Sequence, residues 1–142
     1  MAEPQNRRVA LLSIRPRFAD AILGGEKTVE LRRGRLSPDV SHVAVYATAP
    51  IKRIVGWFEV YSVERDRPCR LWLRHRAGAG VSAAEFRTYF RGAVEGTAIG
   101  VGRVVALKEP MALADLGSVT APQSFCYLDE TTIDGLFAAG GE

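Results

Sequence analysis

Cysteine and histidine are scarce in this 142-residue chain, at two of each, and no lysine or arginine occurs beyond Lys108. Cys69 and Cys126 stand far apart with no Cys-x-x-Cys pair, and only His42 and His75 could join them, so the ligand spacing of a structural zinc site is missing. Two such cysteines read as small hydrophobic side chains rather than as a disulfide framework. No apolar run reaches the eighteen or more residues of a membrane span, so no membrane helix is expected. Met1 to Arg8 is too polar for a signal peptide, which makes the cytoplasm the expected location. The chain has no internal repeat and no linker, and neither metal nor cofactor is expected.

What is present is an ordinary globular composition. Hydrophobic residues at 47% and charged residues at 25% argue against disorder. A chain of this length buries roughly two-thirds of its unfolded surface, enough for one core without metals or disulfides. The net charge of +3 hides a segregation along the chain. All 19 lysines and arginines lie at or before Lys108 against ten acids, whereas the remainder holds six acids and no base. Sixteen of the cations are arginine, whose planar fork suits phosphate and stacks on bases. A genome that favours arginine codons would produce the same bias, but not the segregation.

Val9 to Ile14 reads as a buried strand that stops at Arg15-Pro16. Pro16 then opens a short helix with Phe18 and Ile22 at i and i+4, closed by Gly24-Gly25. The chain becomes extended again from Lys27 to Arg33. Val43 to Ala47 and Ile54 to Val63 are strands, with Val55, Trp57, Tyr61 and Val63 expected on one face. Pro68 opens an amphipathic stretch, and Gly78-Ala79-Gly80 separates it from a helix with a Ser82/Glu85 capping box and Phe86, Tyr89 and Phe90 on one side. Gly96 to Leu107 reads as a strand with Ile99, Val101, Val105 and Leu107 on one face and Gly100 and Gly102 on the other. Glycines so placed fit a sheet that curls sharply or admits a close backbone neighbour. Pro122 to Leu128 adds a last short strand. The expected fold is therefore α+β, a small curved or closed β-barrel flanked by short helices, with one domain over 9–128. Residues 129–142 are expected as an acidic C-terminal extension, a weak helix and then a frayed end.

The segment Gly24-Gly25-Glu26-Lys27-Thr28-Val29-Glu30-Leu31-Arg32-Arg33 puts charge where a helix turns into a strand, a place where scaffolds hold working groups. In a regular strand Thr28, Glu30 and Arg32 share one face and Lys27 points to the other. Lys27 and Glu30 can meet only if the chain bends near the glycines or both side chains reach over an edge. A solvated edge strand whose charges deter aggregation is the alternative reading.

Leu12-Ser13-Ile14-Arg15-Pro16, a short helix, and then G-x-K-x-x-E-x-R as Gly25, Lys27, Glu30 and Arg32 resemble the signature of the ASCH domains, relatives of the PUA RNA-binding modules. Tyr46-Ala47-Thr48-Ala49-Pro50, Ile54-Val55-Gly56-Trp57-Phe58 and Pro122-Gln123-Ser124-Phe125 resemble bacterial members. The likeness runs from about Val9 to Leu128. It implies a small PUA-like barrel with a cleft beside the motif that takes single-stranded RNA or a nucleotide. On that resemblance Lys27, Glu30 and Arg32 are the polar groups of the cleft, with Lys27 and Arg32 neutralising phosphate. Glu30 then pairs with one of them or accepts a proton. Arg15 and Arg17 extend the positive rim, and Tyr46 or Trp57 would offer a stacking surface.

Two activities follow from the same resemblance. Relatives that hydrolyse acylated cytidines use a lysine, a threonine three positions later and a distant glutamate. Here the third position after Lys27 is Glu30, Thr28 comes one residue after the lysine, and the region for the distant acid reads Gly78-Ala79-Gly80. Ribonucleolytic relatives imply a base for the 2′-hydroxyl, an acid for the leaving oxygen and a cation for the phosphorane, types that Lys27, Glu30 and Arg32 contain. In that case Lys27 and Glu30 are the catalytic residues. His42 and His75 are weaker candidates. A non-catalytic RNA- or nucleotide-binding module, with a possible protein partner, leads over a hydrolase.

Overall fold

The computed structural model describes residues 7–117 and 119–141. Its elements are β1 (Val9–Ile14), α1 (Pro16–Leu23), β2 (Val29–Arg32), β3 (His42–Ala47), β4 (Arg53–Asp66), α2 (Pro68–His75), α3 (Ala83–Phe90), β5 (Gly96–Met111), a 3-10 turn (Leu113–Leu116), β6 (Phe125–Tyr127) and α4 (Glu130–Ala139). The six strands form one curled sheet in the order β2-β5-β4-β3-β1-β6, an α+β half-barrel. Among the described residues, β1 and β3 run parallel and every other neighbouring pair is antiparallel. Among the described residues, no helix is long and apolar enough to cross a membrane.

Apolar residues fall into three layers. The inner face of the curl joins Ala10, Leu12, Ile14, Val43, Val45, Phe58 and Ile99 to Phe18, Ala19 and Ile22 of α1. The opposite face of β1 and β3 carries Val9, Leu11, Ala44 and Tyr46, together with Trp57, and is covered by Ile133, Leu136 and Phe137 of α4. On the opposite face of β2 and β5, Val29, Leu31 and Ala98 pack on Leu71 of α2 and on Phe86 and Phe90 of α3. Residues beyond 128 thus form part of a core layer. Asp129 caps α4 through the Thr132 N–H, and Gly140 lies so close to the Trp57 ring that any side chain there would collide with it.

The long strands correct two expectations from alternation. Between Phe58↔Val104 and Val60↔Val101 one residue of β4 faces two of β5, and further register shifts flank Gly56 and Tyr61. Each shift adds an odd number of residues to one of the two strands and so exchanges the faces beyond it. Val55, Phe58, Val60 and Val63 therefore pack with the inner cluster, Trp57 with α4, and Tyr61 is exposed. Ile99, Val101 and Val104 point inward, whereas Val105 and Leu107 join the α4 side. The glycines fit the close-approach reading. A Cβ on Gly102 would lie 2.8 Å from the Glu59 carbonyl oxygen, and one on Gly56 2.4 Å from that of Val105.

Candidate functional site

The site begins where α1 ends. Gly25 takes φ +89°, a conformation open to glycine at no steric cost, and the chain doubles back so that the Lys27 N–H donates to Ala21 O at 3.0 Å. Lys27 therefore precedes the strand, which starts at Val29, and its side chain need not alternate with that of Glu30. Glu30 and Arg32 pair with Ile99 and Thr97 of β5, and Ile99 faces the inner cluster. Both polar side chains thus turn toward the inside of the curl, while Val29 and Leu31 go to the α2/α3 side.

The three charges converge. Lys27 Nζ lies 3.6 Å from Glu30 Oε1, and Arg32 Nε donates to Glu30 Oε2 at 2.8 Å. Lys27 is 3% exposed and Glu30 6%, so neither is a solvated edge charge. Lys27 Nζ also donates to the Ala79 carbonyl, and its stem packs under Gly80, where a Cβ would sit 3.2 Å from Cγ. Burial pushes the Lys27 ammonium below its usual range; the neighbouring Glu30 carboxylate opposes that, and Arg32 and Arg17 add to it.

Arg32 spans the seam of the half-barrel. Besides Glu30, its guanidinium donates to Ser13 O of β1 at 2.8 Å and, just before β6, to Ser124 Oγ and O at 3.2 and 3.3 Å. The two edges of the sheet are thus tied by a side chain rather than by a backbone ladder. Four of the five guanidinium N–H groups are committed, which leaves Arg32 little to offer a ligand.

Lys27, Glu30 and Arg32 line one side of a cavity of about 860 Å³ between α1 and α3. Arg15 lines it and is exposed; Phe18, Phe86, Tyr89 and Phe90 supply aromatic wall. Arg17 is not part of the lining but touches two residues that are: Glu85 holds it, and it lies over the Phe18 ring. Tyr46 is elsewhere: it is 7% exposed in the α4-side cluster, as is Trp57 at 1%, because both occupy the sheet face turned away from α1. Neither lines this cavity, so the aromatic surface comes from α1 and α3 instead. The aromatic side of α3 was legible as an amphipathic face, but nothing local in the sequence shows that α1 stands opposite it. Thr28 lines a separate cavity with Gly78 and His75. His75 bonds Glu64 at 2.5 Å, and His42 contacts Ser41 and the Phe137 ring. Cys69 and Cys126 are free thiols.

No family model matches the chain. An ASCH domain-containing ribonuclease from Zymomonas mobilis is 35% identical over 99 residues, which is 69% of this chain and 67% of the relative. The chain belongs to the ASCH domain family. Crystal structures of ASCH from Zymomonas mobilis share its fold. The wild-type protein aligns with TM-score 0.84 at 30% identity over 92% of this chain and 94% of its own. A tyrosine-to-phenylalanine variant gives 0.86 at 30% identity over 93% and 98%. The N-terminal domain of Staphylothermus marinus McrB matches with TM-score 0.54 at 9% identity, a likeness of fold alone. In this ASCH domain the motif lysine and glutamate form one buried pair, and the motif arginine closes the seam beside them.

Proposed function

We propose that this ASCH domain binds single-stranded RNA, with one nucleotide seated in the cavity between α1 and α3. The supporting observation is the meeting of Lys27, Glu30 and Arg32 beside an aromatic wall, in a space of about 860 Å³. That volume lies in the range that encloses a ligand of nucleotide size. Lys27 supplies charge to a phosphate or a base carbonyl, and Glu30 accepts from a base N–H or a ribose hydroxyl. Phe18 and Tyr89 offer apolar surface to a base. Exposed Arg15 adds a phosphate contact at the rim. A fluorescence-anisotropy titration with a short single-stranded RNA tests this. Two to three phosphate contacts predict that log K falls against log salt with a slope of about −1.5 to −2. Absence of binding at low salt, to RNA and to free nucleotides alike, would defeat the reading.

Cleavage of that RNA is the second reading, favoured by a buried lysine with a depressed pKa beside a carboxylate. The relative from Zymomonas mobilis carries ribonuclease in its name. Glu30 would take the proton of the 2′-hydroxyl as its oxygen attacks the adjacent phosphorus. The Lys27 ammonium would return a proton to the departing 5′-oxygen, leaving a 2′,3′-cyclic phosphate and a free 5′-hydroxyl. On this reading Glu30→Gln loses turnover by at least about a hundred-fold, the scale of one general base, while RNA affinity changes little. Cleavage by Glu30→Gln at the native rate would assign the activity to another site or to contaminating nuclease.

A further inference from the structure

The helices that wall the cavity are joined by an ion pair between Arg17 and Glu85, a residue that lines the cavity. Arg17 Nη2 of α1 lies 2.5 Å from Glu85 Oε2 of α3. Among the described residues, Glu85 and Glu30 are the acids that line the cavity, and Glu30 is committed to Lys27 and Arg32. The two oxygens of Glu85 have separate tasks. Oε1 accepts from the Ser82 N–H at 2.9 Å and completes the capping box of α3, whereas Oε2 holds Arg17. Arg17 lies 4.4 Å from the centroid of the Phe18 ring, which also lines the cavity. Its charge reaches the interior, where it helps to lower the Lys27 ammonium.

Both partners remain open to solvent, with side chains 65% and 43% exposed. Such a pair is weak, and exchanging its carboxylate for another oxyanion costs little. A phosphodiester matches the guanidinium fork and carries the same charge as Glu85. Arg15 lines the same cavity and adds a second cation.

We propose that Arg17 forms a phosphate subsite beside the cavity, masked by Glu85, and that a phosphodiester of bound RNA takes Arg17 from that carboxylate. The inference rests on the RNA-binding reading above. Glu85 then acts as a built-in competitor: it keeps Arg17 neutralised in the free protein and lowers RNA affinity.

Glu85→Gln separates the two tasks. The amide oxygen still accepts from Ser82, as a capping box permits, while the amide nitrogen cannot hold a guanidinium. The native full chain, Glu85→Gln, Arg17→Ala and the double variant are titrated by anisotropy with a labelled single-stranded RNA of about ten nucleotides, a length within the site sizes of small single-strand-binding folds. Glu85→Gln should bind about two- to five-fold more tightly, the reach of one exposed ion pair, and the gain should vanish when Arg17 is alanine. Unchanged melting of Glu85→Gln confirms that the cap survives. A gain that persists in the Arg17→Ala background overturns the mask and reduces Glu85 to general repulsion. Native binding without a gain in Glu85→Gln also overturns it and leaves RNA binding standing. If the native chain binds no RNA, the functional reading falls, and the mask with it.

Discussion

Arg32→Ala should destabilise the fold by about 3 kcal/mol, the lower end for breaking a buried ion pair, and lower the melting temperature by roughly 10 °C. The cost has two sources. Glu30 is buried and loses its 2.8 Å partner, with only the longer contact to Lys27 left. The seam between the sheet edges loses the bonds to Ser13 and Ser124, and no backbone ladder replaces them. Arg32→Lys keeps a charge but lacks the fork that reaches three partners at once, so it should recover less than half of the loss. Thermal melting of the two variants decides. A drop of under about 2 °C for Arg32→Ala would mean that the seam is held by something other than this side chain.

Lys27→Met should weaken binding of single-stranded RNA by at least about thirty-fold, the ~2 kcal/mol or more that removing a buried charged partner costs. Methionine fills a similar volume under Gly80, so the cavity keeps its shape while Ala79 O and Glu30 lose a donor. Stability should fall by about 1–3 kcal/mol, the cost of a buried acceptor left unpaired, which leaves the variant folded for the assay. The depressed ammonium adds a pH signature. Lys27 is cationic below its folded pKa and neutral above it, and burial holds that pKa below the ordinary lysine range. Native affinity should therefore fall as pH rises through the depressed pKa, before an ordinary lysine would titrate. Lys27→Arg should show no such fall over the same range. For stability the sign is opposite. Burying the cation carries a penalty in full below the folded pKa, and this is relieved as pH rises toward the unfolded pKa.

Much of the fold is written locally. Gly24-Gly25, the Ser82/Glu85 box and the short apolar runs place α1, α3 and most strands, because caps and period-two patterns act over a few residues. The faces of β4 and β5 are different. Their bulges arise from how two long strands curl against each other, so alternation along either strand misassigns Trp57, Tyr61, Val105 and Leu107. The site shows the same division. Lys27, Glu30 and Arg32 stand out as a charged motif, yet a regular strand separates Lys27 from Glu30. The positive φ of Gly25 and the Lys27-to-Ala21 bond bring them together. The second role of Arg32 has no local trace, since Ser13 and Ser124 lie 19 and 92 residues away. Tyr46 has strand alternation in its favour either way. Only the packing of α4 shows that its face belongs to the core rather than to the cavity.

The central claim is that the cavity beside Lys27 and Glu30 receives a nucleotide of single-stranded RNA. A crystal structure of the protein with a short oligoribonucleotide tests it most directly. The account predicts one nucleotide between α1 and α3, with Lys27 Nζ or a Glu30 oxygen within hydrogen-bond distance of a base, ribose or phosphate atom. RNA bound over another surface, such as the cavity lined by Thr28 and His75, with the space beside Lys27 holding only solvent, would contradict it.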